Sequence, residues 1–109
     1  MKEPLEYLRH ILNECDYLVR RSGSMSLEGL LVDEDMQRAF TRSLQVIGDA
    51  TKMIPEEFRK KHPEVEWKKM TGMRDVIVHD YLGVDYKIVW DVIINYIPSV
   101  REKLLNILK

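Results

Sequence analysis

The 109-residue sequence holds a single cysteine, Cys15. No disulfide can form within one chain, which fits a reducing compartment. No apolar run approaches the roughly 20 residues that span a bilayer, and the opening Met1-Lys2-Glu3-Pro4 starts no signal peptide. The expected location is therefore the cytoplasm, with no membrane contact. Charge of one sign is also missing: 17 Lys and Arg stand against 18 Asp and Glu, for a formal net charge of -1. That excludes a global basic field for nucleic acid, so any anion site must be local. There is no internal repeat and no low-complexity segment. Nothing alternates with the period of a strand over more than a few residues. Val76-Ile77-Val78 is β-branched, but it is short and flanked by helical spacing. No histidine or cysteine stands near the acidic run Asp33-Glu34-Asp35, so no metal site is read there, and no cofactor is expected.

What is present is helical periodicity with short breaks. The spacing predicts a first helix from about Pro4 to Arg21. Pro4 suits a first turn, where its missing N–H costs nothing, and Leu5, Leu8, Leu12, Cys15 and Val19 form an apolar stripe. Ser22-Gly23-Ser24 ends it, with Gly23 available for a left-handed cap. Cys15 in that stripe reads as a small buried hydrophobe rather than a nucleophile. Met25 to Val32 reads as a connection with one short apolar turn. Asp33 can cap a second helix, from about Glu34 to Ile54, whose buried stripe is Phe40, Leu44, Ile47 and Ile54. Asp33, Glu34 and Asp35 suit the dipole at that helix start.

Gly48 lies inside the second helix, where glycine costs about 1 kcal/mol relative to Ala. Close approach of another helix is the expected reason. Pro55 stops the second helix, and Pro55 to His62 can form a helical turn. A third helical region covers roughly Glu64 to Tyr81 with a kink at Thr71-Gly72. Asp85 can cap a fourth helix from Tyr86 to Tyr96, carrying Val89, Trp90, Ile93 and, just beyond, Ile97. Pro98 opens a last helix with Val100, Leu104, Ile107 and Leu108. The expectation is one all-α domain over residues 1–109, an up-and-down bundle of about five helices.

Local basic bias falls at Arg59, Lys60, Lys61, Lys68, Lys69 and Arg74, opposed by Glu64 and Glu66. It reads first as a solvated face. Trp67 and Trp90 are expected in the core or an interface, and the six methionines as gap fillers. His10 is placed on the solvated side of the first helix. His62 lies in a basic loop, where contact with an RNA backbone is weighed and set second.

The chemistry-bearing stretch is Met73-Arg74-Asp75-Val76-Ile77-Val78-His79-Asp80-Tyr81. With about 100° per residue, Arg74, Val78 and Tyr81 fall near one line of a helix, and Asp75 and His79 on a neighbouring line. Met73, Val76 and Ile77 group opposite and can reach the core. Asp75 is placed to accept a hydrogen bond from one His79 ring nitrogen, which would fix the tautomer and raise its basicity. A guanidinium can bind phosphate through paired donors, and an imidazole moves protons near neutral pH. Ribose supplies its own nucleophile, so such a set suits RNA cleavage without metal, leaving a 2′,3′-cyclic phosphate and a 5′-hydroxyl. One chain is short of groups, since Arg74 and His79 are separated by roughly 140° around the helix. A two-fold axis would supply two of everything in one cleft. The same residues also read as a surface ion pair and a satisfied histidine.

Arg74, His79 and Tyr81 form an R-x4-H-x-Y pattern that resembles the motif of HepT-like proteins in the HEPN superfamily. The flanks resemble the family too: Trp67, Gly72 and Met73 before it, Gly83-Val84-Asp85-Tyr86 and Val89-Trp90 after it. So do Gln37-Arg38-Ala39 and Ile47-Gly48-Asp49-Ala50 upstream, with Asp49 where glutamate is commoner. The resemblance implies a HEPN-like bundle and a homodimer with an interfacial cleft lined by Arg74 and His79 of both subunits. It implies a metal-independent endoribonuclease toxin acting on RNA, with His79 as acid or base and Arg74 on the phosphate. It further implies a minimal nucleotidyltransferase antitoxin able to attach AMP to Tyr81. Two other readings stand beside it. One is a non-enzymatic binding module that is partner or AMPylation substrate of a nucleotidyltransferase. The other is a purely structural bundle.

Overall fold

Helix α1 (Pro4–Ser22) begins on a proline at its first turn and carries Arg20 and Arg21 in its last, where the dipole favours cations. Its buried positions are Leu8, Ile11, Cys15, Leu18 and Ser22, a regular three-four spacing along one seam. The expected stripe therefore sits slightly rotated. Ile11 and Leu18 are central, whereas Leu5 is 38% exposed. The computed structural model describes residues 3–77 and 83–109 of the chain, and within them no residue is in a strand.

The end of α1 differs from expectation. Gly23 is right-handed at φ -63, ψ -22, not a left-handed cap. Tight turns close the helix instead: the Ser24 N–H donates to the Arg21 carbonyl at 3.3 Å and the Met25 N–H to the Ser22 carbonyl at 3.1 Å. The hydroxyls of Ser22 and Ser24 also donate to the carbonyls of Val19 and Arg21. With the last carbonyls satisfied in this way, no residue needs to enter the left-handed region.

The connection contains a short helix, α2 (Leu27–Val32), capped by the Ser26 side chain, which accepts from the Gly29 N–H at 3.0 Å. Asp33 then caps α3 (Glu34–Lys52), accepting from the Met36 N–H at 3.1 Å. Glu34 pairs with Arg38 one turn on, at 3.0 Å. The acidic run is thus spent on starting a helix, as its sequence position suggests.

Helix α3 buries Met36, Phe40, Ser43, Leu44, Ile47, Gly48 and Thr51. It lies along α1, where the Phe40 ring meets Tyr17 edge-on at 6.3 Å and the Ser43 hydroxyl donates to Glu14 at 2.8 Å. After Pro55 comes α4 (Glu56–Lys61), then α5 (Trp67–Thr71), a one-residue break at Gly72, and α6 (Met73–Ile77). The expected kink is therefore a true interruption. Helix α7 (Tyr86–Asn95) follows Asp85, whose carboxylate accepts from the Lys87 N–H at 3.0 Å. Gly83, ahead of it, has φ 119, a conformation open to glycine but strained for L side chains. Helix α8 (Ile97–Leu108) packs back on α1, joined by an ion pair between Arg101 and Asp16.

Among the described residues, five main helical regions result, α1, α3, the broken α5/α6, α7 and α8, with the short α2 and α4 in the connections. This is the all-α bundle the periodicity predicts, with α1 and α3 in the middle and the core drawn from every region. A fully buried Leu or Phe contributes about 1.5–3 kcal/mol by leaving water, and among the described residues twelve large side chains are under 2% exposed.

Candidate active site

Two features hold the segment bearing Arg74 against α3. Met70 and Met73 are buried, at 0% and 2% exposure, and anchor α5 and α6. Between them, Gly48 lets the backbone come close. A Cβ at Gly48 would lie 3.3 Å from the Arg74 nitrogen, 3.4 Å from the Thr71 carbonyl oxygen and 3.6 Å from the Arg74 Cβ. The interior glycine is thus explained by the approach of the α5–α6 junction. The absence of a side chain at position 48 sets how near Arg74 can stand.

Arg74 and Asp75 are exposed on α6, which agrees with a polar face turned from the core side marked by Met73. His79 and Tyr81 lie outside the described residues, as do the side chains of Val76 and Ile77 and the proposed bond from His79 to Asp75. The structure therefore brings Arg74 and Asp75 to the surface together.

Beside this segment is a cleft of about 680 Å³, lined by Lys52, Met53, Arg59, Lys60, Trp67 and Lys68 among others. Arg59 is a wall rather than a free cation. Its guanidinium donates to the carbonyls of Ile54 at 3.1 Å and Thr51 at 2.8 Å, which closes the end of α3. The Trp67 indole N–H donates to the carbonyls of Arg59 at 3.1 Å and His62 at 2.9 Å. Trp67 is buried core, as expected, and staples the α4 excursion down. His62 is half-buried, with its ring 4.6 Å from Phe58 and Nδ1 3.6 Å from the Glu64 carboxylate, which gives it a packing role.

Two further groups stay out of the chemistry. Burial first, then Asp16 and Glu14 nearby, push the Cys15 thiol up to about 12, so it stays protonated and unreactive. Burial first, then Glu66, push the Tyr96 phenol up to about 12 as well. Its hydroxyl is buried and has no hydrogen-bond partner among the described residues, while the Lys69 ammonium lies 4.2 Å from its ring centroid. Sequence reasoning missed the cleft and the cap made by Arg59. No local pattern marks an arginine that reaches back eight residues. For the cleft, the signal is the basic stretch that holds Arg59, Lys60 and Lys68, which Lys52 joins only in the fold.

No described helix is long and apolar enough to cross a membrane. Comparison with known proteins gives a family match over residues 8–107, to the model described as ribonuclease HepT-like. A candidate RNase of Caldanaerobacter subterraneus subsp. tengcongensis is 46% identical over 100% of this chain and 97% of its own. A candidate RNase of Methanocaldococcus jannaschii is 37% identical over 99% of this chain and 89% of its own. A probable ribonuclease HepT of Thermococcus cleftensis is 35% identical, over 95% and 94%. No solved structure matches the chain. With its helical bundle, its Arg74 presented on a short helix and a match across nearly its whole length, the chain belongs to the HepT-like ribonuclease family.

Proposed function

We propose that this ribonuclease is a metal-independent endoribonuclease and the toxin half of a cytoplasmic toxin–antitoxin pair. Its active cleft forms across the two-fold axis of a homodimer. The observation that carries the reading is Arg74, exposed on α6 and held against Gly48, within a segment matched to a ribonuclease family. Arg74 of each subunit binds the scissile phosphate through paired N–H donors. One His79 removes the proton from the ribose 2′-hydroxyl as its oxygen attacks phosphorus. The second His79 protonates the 5′-oxygen as the P–O5′ bond breaks. The products are a 2′,3′-cyclic phosphate and a 5′-hydroxyl. Asp75, four residues before His79, orients the imidazole. Two imidazoles in one cleft resolve the shortage that a single chain presents, because acid and base act in the same step.

The partner in this reading is a minimal nucleotidyltransferase antitoxin that transfers AMP to Tyr81. A phosphate-bearing adduct beside Arg74 and His79 occupies the substrate phosphate position and adds negative charge where RNA must bind. The test is inducible expression of wild type, Arg74→Ala and His79→Ala in bacteria. The reading expects growth arrest and RNA fragmentation for wild type, with neither for the variants at matched protein levels. Growth arrest that persists in both variants would contradict it. Tight capture of the antitoxin with neither arrest nor cleavage would favour the binding-module reading instead.

A further inference from the structure

The net charge of the chain is -1, yet the cleft beside α5 is strongly cationic. Four basic side chains line it, Lys52, Arg59, Lys60 and Lys68, against one carboxylate, Glu56, a local excess of three positive charges. Glu56 is paired with Lys60 at 3.8 Å, but both side chains are more than three-quarters exposed, so that pair holds the lysine only weakly. Arg59 is committed to two backbone carbonyls, and its charge stays fixed in the wall. Lys52 and Lys68 are exposed.

The position of this cleft relative to Arg74 gives it a meaning. Gly48, against which Arg74 rests, and Lys52 are four residues apart on α3. They share a face of that helix and stand about 6 Å apart along its axis. Helix α5 carries Lys68 and leads through Gly72 into α6 and Arg74. Lys52, at the edge of the cationic cleft, therefore lies one helical turn along α3 from the glycine against which the proposed catalytic arginine rests.

We propose that this cleft is a subsite for the RNA backbone flanking the cut, with Lys52, Lys60 and Lys68 as positioning residues for phosphates outside the scissile one. The inference rests on the ribonuclease reading for its ligand and extends it beyond the R-x4-H-x-Y residues. Exposed lysines around a cleft whose wall holds a fixed guanidinium make a local positive field in a molecule without a global one. Single-stranded RNA is the polyanion such a field recruits. Contacts of this kind give affinity and register without sequence readout.

The test uses the full chain carrying His79→Ala, so that the probe survives, and a fluorescein-labelled oligouridylate as ligand. The variant Lys52→Ala/Lys60→Ala/Lys68→Ala should bind at least about tenfold more weakly, and its slope of log affinity against log salt should shrink by about 2, from three lost phosphate contacts at about 0.7 each. The corresponding triple Lys→Arg variant should restore both. In the His79 background restored to wild type, the lysine-to-alanine variant should raise KM on long RNA with kcat unchanged. Its kcat/KM on the dinucleotide uridylyl-adenosine should not move. Affinity and salt slope within twofold of the parent would overturn the proposal, as would a loss on the dinucleotide. Intact RNA affinity with lost binding of an acidic protein partner would overturn it too, and assign the cleft to that protein. Binding needs no cleavage: lysine-dependent affinity in a protein that never cuts RNA would sink the ribonuclease reading, and the cleft would stand as an RNA-binding site with no cut to flank.

Discussion

Among the described residues, Cys15 and Tyr96 are those whose chemistry burial changes most, and both make sharp predictions. At pH 8 a thiol held near 12 rather than 9.0 has about a thousandfold less thiolate, three units at tenfold each. Native protein should therefore resist iodoacetamide at least that strongly, and unfolded protein should react at once. Rapid alkylation without unfolding would show that Cys15 is reachable. Both pKa values are raised on folding, so the associated stability is fully present below the unfolded values of 9.0 and 10.0 and is lost as pH rises to about 12. Urea midpoints should decline between pH 9 and 12, and the variant Cys15→Ala/Tyr96→Phe should flatten that decline. The Tyr96 hydroxyl is buried without a partner among the described residues. Tyr96→Phe should therefore leave stability at neutral pH unchanged or raise it by up to about 1 kcal/mol, because an unsatisfied buried hydroxyl costs more than it returns. A loss of about 1 kcal/mol or more in a thermal melt would mean the hydroxyl has a partner.

At the scale of elements, capping and close approach dominate. Asp33 and Asp85 each accept from a backbone N–H at a helix start, and Asp33→Ala should cost about 1 kcal/mol. Gly48 is the more telling position. Alanine there gains about 1 kcal/mol of helix propensity while its Cβ meets backbone atoms 3.3 and 3.4 Å away, so Gly48→Ala should change stability little. Gly48→Leu cannot fit beside the α5–α6 junction and should cost about 1–3 kcal/mol from overpacking. In urea titrations, equal stability of the two variants would mean that α6 does not rest on α3 as described. Much of this was legible beforehand. Asp33 and Asp85 as caps, Gly48 as a close approach and the burial of Cys15 all follow from residue type and spacing, whereas at Gly72 the spacing gave a kink and the fold has a full break. The left-handed cap at Gly23 was not realised, because serine hydroxyls and tight turns met the same carbonyls locally. The role of Arg59 as a cap for α3 was invisible, since it depends on how α4 folds back, a tertiary fact that no sequence window contains. Arg74 and Asp75 were legible as an exposed polar pair. The link from Asp75 to His79 rests on helical spacing alone.

For the whole molecule, the bundle supplies a packed α1–α3 centre, and the described part of the segment proposed as functional is the short, interrupted α5–α6 pair laid against α3. In the dimeric mechanism proposed above, the site is complete only when a second copy brings its own segment alongside, so that reading expects light scattering to give twice the chain mass at micromolar concentration, with no cleavage by dilute monomer. The measurement that reaches the central claim most directly is cleavage of a defined RNA in excess EDTA by purified wild type, Arg74→Ala and His79→Ala, with the product ends identified. Wild type should cut and leave 2′,3′-cyclic phosphate and 5′-hydroxyl ends, and each variant should fall by at least about a hundredfold, the usual contribution of a positioned acid–base group for His79 and of a lost charge clamp on the phosphate for Arg74. Equal cleavage by all three proteins, or activity that vanishes with the chelator, would contradict it.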